Sequence, residues 1–415
     1  MTGEGNGIDR QRPKVVMAAY VCRPGYGSES GAGWTMASAA ARRNEVWLIT
    51  QPFEREYIMR ELEADPELAR WLHPVYVSVD PRLDSRVTER LHFYWHYPLW
   101  QQKGKARARY LHRFVVFDVA HHTTFASDWQ PTGLSRLGAV PLVWGPVGGS
   151  TRMPLRTALR WLPARAIPEE LLRLVVTKTC RRAFGDRVAR GAAVVVGLNK
   201  DTADRFGYMP NVHVASNAVV DIEGSAAGNA PEPLTRDDGL RHAVFAGRLV
   251  AYKGIELGVR ALAQRGGAGW SYTLIGDGPR VERLRELAIR LHVDDRVHFI
   301  GRLPHEDVLA ALTVADAYLA PAWHESAGWS VAEAISLGCP TVCLDIGGPA
   351  WISRDHGIAV PPLGNIPKKL AGALDRCPPR REPRAIFTMD RCADACDRWY
   401  SEAMALPGGR GGAMR

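Results

Sequence analysis

The chain predicts an α/β protein in which two Rossmann-like parallel-sheet domains face each other across a cleft. Its length, an alternation of short apolar strands with helical patterns, and a break in that alternation predict this. At 415 residues the chain exceeds what one hydrophobic core usually organises. Short apolar runs separated by helix-period segments indicate parallel strands covered on both faces. Residues 222–241 turn to Gly, Ala, Pro, Asp and Glu without an apolar period, as a linker does. The expected division is therefore residues 1–221, a linker at 222–241, a second domain at 242–385, and a C-terminal helix at 386–415 that returns to the first domain.

In the first half, strands are predicted at 15–20, 45–50, 74–79, 117–120, 140–144, 192–196 and 212–215, with a helix over 30–43 after a glycine-rich turn. The pattern restarts at 243–246. Ile255, Val259 and Leu262 mark one helix face, and Val281, Leu284, Ala288 and Leu291 mark another. Further strands are predicted at 272–275, 297–300, 317–320 and 341–344, and an aromatic helix at 392–404 closes the chain. Ligands bind beyond the carboxyl ends of parallel strands, so function is expected there.

With 46% hydrophobic and 23% charged residues, the composition is that of an ordinary globular protein. No apolar run approaches the roughly 18–20 residues that cross a bilayer. Residues 1–14 are polar and Gly-rich, without the apolar stretch of a signal peptide; the expectation is a cytoplasmic protein. The seven cysteines are odd in number and form no Cys-x-x-Cys pair. Cys339/Cys343 and Cys392/Cys396 lack histidines at ligand spacing, so free thiols and no metal are expected. The net charge of +9 favours an anionic partner such as a nucleotide diphosphate or a membrane surface. No nucleic-acid-binding signature accompanies it.

In the second half, strand 243–246 runs into Gly247-Arg248-Leu249, and Lys253-Gly254 opens the next helix. Two cations at a strand end beside a helix N-terminus suit a diphosphate; by position alone, solvated surface charges explain them as well. Gly276-Asp277-Gly278-Pro279 forms a turn whose glycines would let a ligand approach the backbone, although tight turns use the same residues without one. After strand 317–320 comes Glu325-Ser326-Ala327-Gly328-Trp329-Ser330, with Glu333 one turn inside a helix predicted over 329–337. The first amides of that helix can bind phosphate oxygens, and two carboxylates can accept hydrogen bonds from sugar hydroxyls. An acid/base pair of a glycosidase, or a structural role at a helix terminus, is equally compatible with the spacing.

Taken in order, Gly-Arg-Leu…Lys-Gly, Gly276-Asp-Gly-Pro, Phe299-Ile-Gly301, Glu325-x7-Glu333-Ala and Gly338-Cys-Pro-Thr-Val342 resemble the family 4 retaining glycosyltransferases, whose GT-B fold is two facing Rossmann-like domains. The resemblance covers most of residues 243–348. It implies that Arg248 and Lys253 hold the donor diphosphate, with Gly247, Gly276 and Gly278 in the surrounding turns. It implies that Glu325 contacts the transferred sugar, that the backbone near Ser326, Gly328, Trp329 and Ser330 meets the phosphates, and that Glu333 binds the ribose. The backbone at Arg302 and Leu303 would meet the base. Trp329 and Ser330 replace the aliphatic residues more usual there, which leaves donor-sugar preference open.

In the first half, Gly25-Tyr-Gly27-Ser-Glu-Ser-Gly31-Ala-Gly33-Trp34 could also announce a dinucleotide-binding fold. Strand two ends Leu48-Ile-Thr-Gln51 without the acidic residue such a fold needs. In similar transferases this loop, Gly27 included, lies under the donor phosphates. Asp118-Val-Ala-His121-His122 follows a strand, and the family places a histidine near the reacting sugar; His122 is slightly favoured over His121, with a core histidine as the alternative. Trp144-Gly-Pro-Val-Gly148-Gly149 is expected along the cleft, and 215–221 resembles the family hinge with Ala218 where glycine is usual. No Asp-x-Asp motif occurs, in keeping with a reaction that needs no metal and no cofactor beyond a UDP- or GDP-sugar as co-substrate. The acceptor would be a hydroxyl of a small molecule, glycan or lipid-linked compound. A nucleotide-sugar epimerase and a non-catalytic binder of nucleotide sugars remain open. Residues 151–190 carry ten Arg or Lys against three acidic residues, and 90–113 is basic and aromatic. Either could contact a membrane surface peripherally or present a solvated basic face, and 90–113 could instead wall the acceptor pocket.

Overall fold

The structure, a computed structural model, describes residues 12–82, 90–135, 137–151, 154–162, 167–222 and 228–406. The expected N-terminal lead-in up to residue 11, part of the linker (223–227), residues 152–153 and 163–166 of the basic segment, and the side chains of Phe93 and Tyr94 lie outside the described residues.

The N-terminal domain runs β1 (Lys14–Ala18), α1 (Ser28–Ala41), β2 (Glu45–Thr50), α2 (Arg55–Ala64), α3 (Pro66–Trp71), β3 (Leu72–Tyr76), α4 (Arg90–Val115), β4 (Val119–His122), β5 (Leu142–Val147), α5 (Leu155–Trp161), α6 (Ile167–Cys180), α7 (Asp186–Gly191), β6 (Val194–Gly197), α8 (Lys200–Arg205) and β7 (Val212–Val214). The C-terminal domain runs β8 (Arg241–Ala246), α9 (Ile255–Leu262), β9 (Trp270–Ile275), α10 (Val281–Arg290), β10 (Val297–Gly301), α11 (His305–Val314), β11 (Ala317–Ala320), α12 (Trp329–Ser336), β12 (Thr341–Leu344), α13 (Gly347–Ser353), β13 (Gly357–Val360) and α14 (Ile366–Asp375). Helix α15 (Met389–Ala405) ends the described chain.

Seven strands form one sheet in the order β3-β2-β1-β4-β5-β6-β7 and six form another in the order β10-β9-β8-β11-β12-β13. Every pairing is parallel. In both sheets the order reverses beside the first strand, which opens a crevice at the carboxyl ends of β1 and β8. The predicted two-domain parallel architecture is thus observed. Strand β13 escaped prediction because it is four residues long, begins with glycine, and is only partly buried at the sheet edge.

The period of two in each strand builds a core on either face. In β1, Val15 and Met17 face α1 and α15, whereas Val16 and Ala18 face α4 and α7. Helix α15 packs on α1 in the N-terminal domain: Cys392, Cys396, Trp399 and Tyr400 join its core, and Arg43 pairs with Asp394. Thr388 accepts a hydrogen bond from the Arg391 amide and so caps this helix. Half of the aromatic segment in α4 is core: Tyr97 and Trp100 are buried against Tyr20, and the Trp100 indole donates to the Val77 carbonyl. The seven cysteines are free, six of them buried.

Candidate active site

Strand β8 delivers Gly247, whose φ of +150° only glycine adopts readily, and then Arg248. A single tight turn follows, carrying Lys253, and Gly254 starts α9 with φ +65°. From β11 the chain turns at Pro321, passes Glu325, and enters α12 through Gly328 at φ +73°. A side chain at Gly328 would also press against the Pro349 nitrogen at 3.2 Å. The two strand ends are tied together, because the Tyr318 hydroxyl lies 3.0 Å from the Ala246 carbonyl oxygen and 2.7 Å from Ser330 Oγ. Lys253 makes an ion pair with Glu325, and Glu325 also accepts from the Gly328 amide at 3.4 Å. Four residues into α12, Glu333 is buried and bonded to His305 Nε2 at 3.0 Å.

These residues form one wall of a cleft of about 640 Å³ between the domains. The other wall comes from the N-terminal sheet: Gly27 and Glu29 at the start of α1, Phe125 to Ser127 after β4, Gly148 and Gly149 after β5, and Arg173 on α6. The walls also touch. Ser326 Oγ accepts from the Gly149 amide at 3.2 Å and its carbonyl accepts from Asn199 Nδ2 at 2.9 Å. The Trp329 indole donates to Asn217 Oδ1 at 2.9 Å, which fastens the first turn of α12 to the hinge segment.

Of the residues singled out from sequence, Arg248, Lys253, Glu325, Ser326, Trp329, Ser330, Glu333, Gly247 and Gly27 line the cleft together. Gly328 frames it. Gly276 and Gly278 have a different reason to be glycine: a Cβ at Gly276 would lie 2.0 Å from the Gly247 carbonyl oxygen, and one at Gly278 would lie 2.4 Å from that of Leu249. At both positions the backbone of the neighbouring turn already fills the space that a side chain would need. Arg302 stands out in solvent 3.9 Å from Asp277, and Leu303 packs against the core; neither lines the cleft.

The expectation that His121 or His122 faces the cleft is not met. Sequence reading ended this strand at residue 120, but β4 runs to His122, so the two rings alternate across the sheet and both are buried. His121 lies on the α15 side, 2.7 Å from the Tyr400 hydroxyl and 2.8 Å from the Gly145 carbonyl oxygen. His122 lies on the α4 side, 3.1 Å from the Tyr97 hydroxyl and 3.0 Å from the Thr124 carbonyl oxygen. Burial lowers their pKa values to about 3 and about 4 respectively, so both are neutral near pH 7.

Sequence reading missed Glu29, His305 and the Glu170–Arg173–His324 group. Glu29 points between the walls and accepts from the Phe125 amide. Burial raises its pKa, against the effect of that hydrogen bond. The pKa of His305 is raised by its hydrogen bond to Glu333, with burial opposing. A carboxylate inside a glycine loop and a histidine after a proline carry no spacing signal that could have found them. The cleft can therefore bind an anion through Arg248, Lys253 and the first amides of α12. Beside them it offers carboxylate acceptors for hydroxyl groups. Among the described residues no three His, Cys, Asp or Glu side chains converge as metal ligands.

Residues 229–377 match the sequence profile of the family described as glycosyl transferases group 1. This chain carries a glycosyl transferases group 1 domain. That domain supplies the whole charged wall of the cleft. The chain is 30% identical over 199 residues to the 2-deoxystreptamine N-acetyl-D-glucosaminyltransferase of Streptomyces fradiae, covering 46% of each. It is 28% identical over 292 residues to the alpha-D-kanosaminyltransferase of Streptomyces kanamyceticus, covering 67% of this chain and 71% of the relative. The chain spans under half the length of the two 2-deoxystreptamine transferases it matches, 46% and 48%. Among solved structures, sucrose-phosphate synthase from Thermosynechococcus elongatus superposes with a TM-score of 0.61 at 16% identity, over 95% of this chain and 100% of that one. Anabaena HepE in complex with UDP and glucose superposes with a TM-score of 0.52 at 17% identity, over 94% and 95%. The fold of the group 1 domain and its partner is accordingly GT-B.

Proposed function

We propose that the chain is a retaining glycosyltransferase that moves a hexosyl group from a UDP- or GDP-sugar to an acceptor hydroxyl, without a metal ion. The observation that carries this is the convergence of Arg248, Lys253, Glu325, Ser330 and Glu333 on one wall of an interdomain cleft whose other wall is glycine-rich backbone. In this reading Arg248 and Lys253 bind the donor diphosphate and stabilise the charge that develops as it departs. Lys253, paired with Glu325 in the structure, turns toward the phosphates, and the Glu325 carboxylate accepts from sugar hydroxyls. Glu333 takes the ribose. The acceptor oxygen bonds to the anomeric carbon on the face the diphosphate leaves, and its proton passes to the departing phosphate oxygen. Neither buried histidine takes part.

The relatives named as aminocyclitol and aminosugar transferases support transfer to a small hydroxylated acceptor, and the likeness to HepE bound to UDP-glucose supports the donor class. Among the described residues no helix is long and apolar enough to cross a membrane. Helix α6 nevertheless exposes Leu171, Leu172, Val175 and Val176 on one face, inside the basic segment. We place the protein in the cytoplasm with peripheral contact to an anionic surface through that face. Flotation with anionic vesicles at two salt concentrations tests this; recovery with neutral vesicles alone would exclude it.

The decisive experiment incubates a panel of nucleotide sugars with and without hydroxyl acceptors and follows nucleotide diphosphate release. Acceptor-dependent release with an unchanged anomer in the product is expected. A changed sugar without release would mark an epimerase. Binding without either would mark a non-catalytic protein.

A further inference from the structure

Glu170 and Arg173 lie one turn apart on the inner face of α6 and reach across the domain boundary to a single residue, His324. Arg173 grips Glu170 through Nε at 2.9 Å and Nη2 at 2.7 Å. Glu170 Oε1 lies 3.0 Å from His324 Nε2, Arg173 Nη2 lies 2.9 Å from the same nitrogen, and Thr151 Oγ1 lies 3.1 Å from His324 Nδ1. With Nε2 protonated the ring donates to Glu170 and accepts at Nδ1 from the Thr151 hydroxyl, and Arg173 is then held by its two bonds to Glu170 and not by the ring. The side chains of Glu170 and His324 are only 10% and 16% exposed, so solvent screens this contact little. Burial by itself would raise the Glu170 pKa, but the bonds from His324 and Arg173 bring it to about 2. The carboxylate is therefore charged near neutral pH.

What gives the contact consequence is its neighbour in sequence. His324 precedes Glu325, which pairs with Lys253, and Ser326 is held by Gly149 and Asn199. Residues 324 and 326 are thus fixed by the N-terminal domain on either side of the Glu325 carboxylate.

We infer that Glu170 and Arg173 are positioning residues that latch His324 to the N-terminal domain and so set Glu325 when the cleft is closed. The catalytic consequence rests on the transferase reading; the latch itself does not. The test compares Glu170→Gln, His324→Gln, the double variant and Arg173→Lys in native-state hydrogen exchange and in steady-state turnover. Glu170→Gln raises exchange of the 324–328 amides on the order of tenfold, although the substitution is in the other domain. The double variant adds nothing further, because both changes remove one contact. Arg173→Lys, which keeps the cation beside Glu170, retains most of the wild-type protection. Turnover falls on the order of tenfold while the affinity for free nucleotide diphosphate, held by the C-terminal domain, stays within about twofold. Exchange that rises only within α6, or additive effects, would overturn the latch. Linked exchange with unchanged turnover would overturn the positioning role. Were no donor to release nucleotide diphosphate in the wild type, the exchange cycle would still decide the latch, and the positioning role would fall with the transferase reading.

Discussion

The two walls of the cleft are built on opposite plans. The C-terminal wall presents charged side chains on strand-end turns, with Lys253 against Glu325 and Glu333 against His305. The N-terminal wall presents glycine backbone at Gly27, Gly148 and Gly149, with the isolated carboxylate of Glu29 and the guanidinium of Arg173. The first plan suits a ligand of fixed charge, which is the same whatever sugar it carries. The second leaves space and few fixed donors, which suits a partner recognised by shape. The difference also explains which histidines matter. His305 and His324 are in the cleft because they lie in the segments that follow strand ends, His305 as the first residue of α11 and His324 in the loop after β11. His121 and His122 instead belong to a buried strand and become core.

The comparison is broken most directly at Lys253. Lys253→Ala is expected to lower proposed transfer by roughly a hundredfold or more, the scale seen when one preorganised charge is removed from a transition state. Melting temperature should change little; turnover within about threefold of wild type would remove Lys253 from the chemistry. Next, Glu333→Gln is expected to raise the donor KM about tenfold with a smaller change in kcat, since it acts on bound nucleotide in ground and transition state alike. A kcat effect larger than the KM effect would move Glu333 to the reacting centre.

Behind the opposite wall, in the core of the N-terminal sheet, the buried histidines should speak through stability. Their folded pKa values, about 3 and about 4, lie below the ordinary value, so below about pH 6.5 the unfolded chain binds more protons. The stability they allow is complete above that pH and is lost as pH falls toward the folded values. Denaturant titrations of wild type and His122→Gln should diverge on the acid side, the variant losing stability less steeply with acid. Parallel curves would mean that His122 is solvated.

The smallest effect is expected at Glu29, whose raised pKa means that its charged form is disfavoured on folding. The Glu29 contribution to wild-type stability then declines as pH rises from the ordinary carboxylate range through the raised value. Glu29→Gln keeps an oxygen for the Phe125 amide, and it should match wild type in acid and equal or exceed it by up to about 1 kcal/mol near neutrality. A variant that is less stable at neutral pH would show that the carboxylate is paired there.

Most of the charged wall was legible because its residues follow strand ends in a motif order that resembles the family 4 transferases, although spacing alone left surface charges and a glycosidase pair equally open. Gly247, Arg248, Lys253, Glu325, Ser330 and Glu333 are all of this kind. Gly276 and Gly278 were legible as a tight turn, but glycine identity does not reveal that the neighbouring backbone fills the missing Cβ space. His121 and His122 lie in β4 itself, as its last two residues, and because strand side chains alternate sides at every step their rings enter the cores on the two faces of the sheet instead of a loop at its end.

The sequence by itself determined two parallel-sheet domains and the strand ends that hold the charged residues of the second. Hydrophobic period and local spacing encode these within short windows. Only the tertiary structure decided that Glu29, Asn217 and Arg173 belong to the same cleft, that Glu170 reaches His324 over 154 positions, and that α15 buries His121. Such contacts join residues with no local relation, so they exist only once the sheets and helices have packed.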